Sequence, residues 1–121
     1  MNAVHLVGNI GQEIEIREFA ARDGGEVKVK ASFLLAVDRP FADAEPDWIR
    51  VVVWGAQARN LTRFNGKGSR LAVEGHIRGE WYDPPAAGKG GKPPSELRTT
   101  VVAERIEYLS PKRDADTREA A

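Results

Sequence analysis

The segment Trp48-Ile49-Arg50-Val51-Val52-Val53-Trp54 sets two indoles and a guanidinium at positions of one parity. In an extended strand, side chains of equal parity stand on one face in steps of about 6.6 to 7 Å. Flat rings in succession are surfaces on which nucleic-acid bases stack, for about 1 to 3 kcal/mol each and with little regard to base identity. An arginine among them meets phosphate or adds cation–π attraction. Large aromatics also anchor cores and subunit interfaces, and pattern alone leaves both readings open. The opposite face, Ile49, Val51 and Val53, already offers a complete apolar surface to a core. The face carrying Trp48, Arg50, Val52 and Trp54 therefore needs another partner.

Tyr82 extends the same chemistry, because the alternation from Ser69 to Tyr82 sets Leu71, Val73 and Ile77 on one side and Arg70, His76, Arg78, Glu80 and Tyr82 on the other. Its neighbour Trp81 has the parity of the core side unless a bulge at Gly79 reverses the faces. Lys28, Lys30, Arg39, Arg78 and Arg98 are candidate phosphate contacts, each of which an ordinary solvated strand face would also explain. Arg78 stands out through its parity with Tyr82.

Catalytic chemistry finds little support. There is no Gly-Lys-Ser/Thr phosphate loop, nucleophile elbow or cysteine, and Gly66-Lys67-Gly68-Ser69 reads as a turn entering a strand. His5 and His76 fall in different strands, and Asp38, Asp43 and Asp47 read as solvated loop carboxylates rather than metal ligands of a nuclease. No catalytic residue, metal or cofactor is expected.

The chain has 121 residues, of which 41% are hydrophobic, enough for one core. Its 18 basic and 18 acidic side chains cancel, yet they are unevenly spread. Residues 1–47 hold five basic and nine acidic groups, whereas residues 48–98 hold nine basic and four acidic. A neutral chain can therefore present a basic face. The opening Met1-Asn2-Ala3-Val4-His5-Leu6 lacks the n-region and h-region of a signal peptide, and no run approaches a membrane span. A soluble, cytoplasmic, nucleoid-associated chain is expected.

To position these residues the sequence supplies a first strand with a bend over Val4 to Gly11, and a second from Val27 to Val37 stopped by Asp38-Arg39-Pro40. Trp48 to Trp54 is the third, Ser69 to Tyr82 the fourth with bends or bulges at Gly75 and Gly79, and Leu97 to Leu109 the last. Ala58, Leu61 and Phe64 at helical spacing predict one short helix over Ala56 to Phe64, closed by Asn65-Gly66-Lys67-Gly68. Strand, strand, strand, helix, strand, strand is the order of an OB-fold, an all-β, five-stranded Greek-key barrel. Residues 1–109 are expected to form this domain. Asp43 to Asp47 and Asp83 to Pro94 read as loops, and 110–121 as a polar, disordered tail.

The run Met1 to Gly11, the turn-off Leu35-Ala36-Val37-Asp38-Arg39, the Trp48 to Gly55 strand, and Asn65-Gly66-Lys67-Gly68-Ser69-Arg70-Leu71-Ala72-Val73-Glu74-Gly75 together resemble the bacterial single-stranded DNA-binding protein family. The resemblance covers residues 1 to about 109 and implies an OB-fold that coats single-stranded DNA in replication, recombination and repair. It places stacking aromatics at Phe41, Trp48, Trp54 and Tyr82 and basic contacts at Arg50, Lys67 and Arg78; Phe41 and Lys67 rest on it alone. It further implies a homotetramer, a dimer of dimers to which the N-terminal strand contributes. Where the family often carries basic residues, this chain has Ala56 and Glu80, and weaker salt-dependent affinity follows. The family's acidic, apolar-tipped tail is replaced by Asp116-Thr117-Arg118-Glu119-Ala120-Ala121, so recruitment of replication and repair proteins through it is not expected. Two rivals are an OB-fold adaptor of the primosome or replisome that buries the same aromatics against a protein, and a metal-dependent nuclease.

Overall fold

The alternation of Val29, Ala31, Phe33 and Leu35 with Lys30, Ser32 and Leu34 is realised as a ten-residue strand whose first set is buried. The computed structural model describes residues 1–20, 25–41, 45–85, 91 and 93–110. Along the chain run β1 (Val4–Ile10), β2 (Glu15–Phe19), β3 (Lys28–Val37), β4 (Asp47–Trp54), α1 (Ala56–Phe64), β5 (Arg70–Tyr82) and β6 (Glu96–Tyr108). The sheet order β1-β5-β6-β4-β3-β2, with β1 also paired to β3, closes a ring of β1, β3, β4, β6 and β5. All pairs are antiparallel except β4 and β6, which meet in parallel at Val51 opposite Val101. This is the five-stranded OB barrel that the sequence predicts.

β2 is the addition. It follows β1 along the same edge of β3: Ile10 stands opposite Leu35, and after a short break Glu15 stands opposite Ser32 and Phe19 opposite Lys28. β1 and β2 are thus two halves of one bent strand, the first half shared with β5. All five β2 residues are exposed, so Glu15-Ile16-Arg17-Glu18-Phe19 buries nothing that would announce a strand.

The barrel interior takes one face of each closing strand: Ile10, Val29, Phe33, Leu35, Val51, Val53, Leu71, Val73, Val101 and Ala103. α1 packs against β3 and β4 and presses Ala58 and Leu61, both fully buried, into this core. Gln57 of α1 ties the helix to β6, its Nε2 donating to the Glu104 carbonyl at 2.9 Å and its Oε1 accepting from the Ile106 N–H at 3.2 Å.

β5 and β6 slip register between Glu74 and Gly75, whose partners are Arg105 and Ala103; Glu104 is the extra residue. The core face of β6 accordingly changes parity, from Val101 and Ala103 to Ile106. At the bend the strands come so close that a β-carbon on Gly75 would overlap the Val102 carbonyl oxygen. Gly79, expected as a second bend, pairs regularly with Thr99. Trp81 shares the parity of Ile77, as the sequence predicts, but it finds no core there. The β5–β6 ribbon outruns the barrel, and Trp81, opposite Leu97, is 71% exposed. The expected loops are described only in part, and the 110–121 tail lies outside the described residues from position 111 onward.

Candidate nucleic-acid interface

The outer face of the barrel runs continuously across β2, β3, β4, β6 and β5. Register sets Trp54 opposite Lys30, Val52 opposite Ser32, Arg50 opposite Leu34 and Trp48 opposite Ala36. Arg17 follows on the far side of Lys30, and Phe19 on that of Lys28. In this face lies an open concavity of about 410 Å³, around which Lys30, Arg50, Trp54, Arg78, Tyr82 and Arg98 meet. Val52, Val102, Ser32 and Thr100 lie between them, and Glu80 stands at the rim with Arg78. Six of the residues singled out by parity, charge or resemblance therefore come from four different strands to one hollow.

Trp54 stays 43% exposed although it lies between two neighbours. The Phe19 ring is 5.9 Å away, centroid to centroid, tilted by 37°, and the Lys30 ammonium is 5.7 Å from the ring centroid. Both contacts orient the indole and leave ring surface free for a stacked partner. At the other end the Arg98 guanidinium lies 4.1 Å from the Tyr82 ring centroid, while the Tyr82 hydroxyl donates to Glu96 Oε2 at 2.8 Å. Arg78 Nε meets Glu80 Oε1 at 2.7 Å. A second, smaller hollow beside the first gathers Arg17, Lys30, Arg50 and Arg98 around Glu15 and Ser32.

The remaining expected residues stand apart from the concavity. Trp48, 53% exposed, lies on the same outer face, its ring over Gly11. Lys28 lines a separate hollow on the far side of Trp54, with Arg59 of α1. Arg39 Nε donates to Asp47 Oδ1 at 3.1 Å. Phe41 is 83% exposed beyond the end of β3. Lys67 sits in the turn into β5, where the Gly68 N–H donates to the Ile10 carbonyl, next to the Gly11 that carries the Trp48 ring. Sequence reasoning missed Arg17 and Phe19. Their signal is the period-2 placement of Glu15, Arg17 and Phe19, too short and too charged to read alone.

As to the nuclease alternative, Asp47 is engaged by Arg39, Asp43 lies outside the described residues, and among the described residues no three His, Asp or Glu side chains gather as metal ligands. Nor is any helix among them long and apolar enough to cross a membrane.

Comparison with known proteins points to one family. The model of the single-strand binding protein family matches residues 1–109. A single-stranded DNA-binding protein of Thermosynechococcus vestitus is 34% identical over 116 residues, 96% of this chain and 88% of that protein. Single-stranded DNA-binding protein 3 of Clostridium acetobutylicum is 37% identical over 112 residues, 90% and 71% of the two chains. A single-stranded DNA-binding protein of Staphylococcus aureus is 34% identical over 123 residues, 98% and 72%.

Proposed function

The chain belongs to the single-strand binding protein family, and on that premise we propose that it holds single-stranded DNA along the outer face of β2, β3, β4, β6 and β5. Its action is binding, not catalysis. Bases stack on Trp54, Trp48 and Tyr82, while Lys30, Arg50, Arg98 and Arg78 neutralise phosphates. The observation that carries this reading is the single concavity that collects two aromatic rings and four cations from four strands. Stacking surfaces and point charges dominate it rather than paired amide donors and acceptors, which suits coating DNA of any sequence during replication, recombination and repair. Lys28, Arg39, Lys67 and Phe41 lie outside the concavity and serve as contacts along the approaches.

The same charges weigh against the adaptor alternative, since the buried centre of a protein–protein interface is depleted in charged residues. The DNA-binding unit is residues 1–109, working in the cytoplasm on the chromosome. The assembly is a homotetramer of paired dimers. In its support, residues 4–8 of β1 pair with β5 on one edge, and among the described residues no strand pairs with the other, beside which Val7 is exposed. An unpaired edge of this kind accepts a second copy.

Titration with oligo-dT at low salt, read by tryptophan fluorescence with mass measured on the same samples, tests both readings. Strong quenching is expected, together with the mass of four chains. Absence of quenching and of filter retention would overturn DNA binding, and a monomer mass would overturn the assembly.

A further inference from the structure

The two ends of the concavity are not equivalent. At the Trp54 end the Lys30 ammonium lies 5.7 Å from the indole centroid, and the smaller hollow beside it gathers Arg17, Lys30, Arg50 and Arg98 with Glu15 as the one carboxylate among its described lining residues. At the β5–β6 end two of the groups that would meet DNA, Arg78 and Tyr82, are already engaged by carboxylates of the same ribbon. Glu80 Oε1 lies 2.7 Å from Arg78 Nε, and Glu96 Oε2 accepts from the Tyr82 hydroxyl at 2.8 Å. Arg78 and Glu80 are about equally exposed, 63% and 62%, so water and ligands reach the pair.

We propose that Glu80 is an internal competitor for phosphate at Arg78, which makes the β5–β6 end a conditional subsite that DNA engages after the Trp54 end. The inference rests on the DNA-binding reading above. Arg78 and Glu80 are i and i+2 on one strand, and their side chains leave the same face about 6.6 to 7 Å apart. The carboxylate therefore cannot leave when phosphate arrives. It swings aside, loses its partner and remains next to the incoming anion. An exposed ion pair is a weak lock, so Glu80 does not close the subsite. Its effect is that engagement of Arg78 releases no net counterion: the guanidinium was neutralised before DNA arrived. The device lowers the affinity of the outer end and eases release of the strand there, while the Trp54 end keeps its grip.

The test is the dependence of affinity on salt for a dT oligonucleotide, measured on the full chain, Glu80→Gln, Arg78→Gln and the double variant. For single strands each neutralised phosphate adds about 0.7 to the slope of log K against log salt. Glu80→Gln is expected to steepen the slope by about 0.7, tightening binding about fivefold at 0.1 M salt relative to 1 M. In the Arg78→Gln background the same substitution is expected to leave the slope unchanged. An unchanged slope in Glu80→Gln overturns the proposal. So does an equal gain in both backgrounds, which makes Glu80 a diffuse repulsive charge only. If the unaltered chain fails to bind dT at all, the DNA-binding reading fails and this inference with it; binding with the wrong slope removes the inference alone.

Discussion

The indole of Trp48 lies so close over Gly11 that a β-carbon at position 11 would overlap Cζ3 of the ring. The bend where β1 gives way to β2 is thus also the seat of an aromatic ring on the outer face. The obstructing atom is the far end of a side chain that is half exposed, so Gly11→Ala should turn the ring aside rather than disturb the barrel. Stability in urea is expected to change by no more than about 0.5 kcal/mol. Binding of dT should weaken toward the worth of one stacked base, about 1 to 3 kcal/mol. A variant that binds normally would show that Trp48 takes no base in this position.

Trp54 is held between Phe19 and Lys30. Trp54→Ala should weaken dT binding by about 1 to 3 kcal/mol and remove much of the fluorescence quench. Phe19 touches the indole too closely for a base to enter between them, and its contribution is to fix the ring plane. Phe19→Ala is therefore expected to cost less than Trp54→Ala, with a shift in tryptophan emission before DNA is added. Equal losses in the two variants would mean that Phe19 takes a base itself.

The cations divide by surroundings. Lys30, Arg50 and Arg98 line both hollows, where one strand of phosphates would pass. Replacing any one with Ala should reduce the salt slope by about 0.7 with little dependence on DNA sequence. Arg98→Ala has a second consequence, because it uncovers the Tyr82 ring face that the guanidinium now occupies. Its loss of affinity at high salt should be smaller than that of Lys30→Ala. Arg39, already joined to Asp47, is expected to change the slope less than any of the three.

What the sequence made legible follows from how strands expose their parity. Trp48, Arg50 and Trp54 could be assigned to an outer face because Ile49, Val51 and Val53 leave no doubt about the inner one. Arg78 and Tyr82 followed from Leu71 and Val73 in the same way. β2 escaped because it buries no side chain, so Phe19 and Arg17 carried no period that a core would enforce. Trp81 shows the complementary limit: alternation fixes the side of a strand but not how far the barrel beneath it extends. Family resemblance pointed to Phe41 and Lys67, and neither lines the concavity. The convergence of six side chains from β3, β4, β5 and β6 depends on barrel closure, which no local pattern encodes.

The close approach of β5 to β6 runs through Gly75, and two glycines of β5 allow a controlled test. A β-carbon on Gly75 would overlap the Val102 carbonyl oxygen, a backbone atom, at the point where Glu104 is inserted as the extra residue of β6. No rotamer relieves that overlap, so Gly75→Ala must push the two strands apart and is expected to cost about 1 to 3 kcal/mol. On Gly79, four residues along, a β-carbon would meet only Leu97 Cδ1 at 3.5 Å, an ordinary contact. There the loss of glycine's freedom in the unfolded chain should dominate, making Gly79→Ala neutral or stabilising by up to about 1 kcal/mol. Urea midpoints of the two variants measure the difference. Val102 also lines the concavity between β4 and β6, so Gly75→Ala should weaken dT binding even under conditions where the variant is fully folded. If Gly75→Ala were as stable as Gly79→Ala, the close approach of β5 to β6 would not be what bends the ribbon.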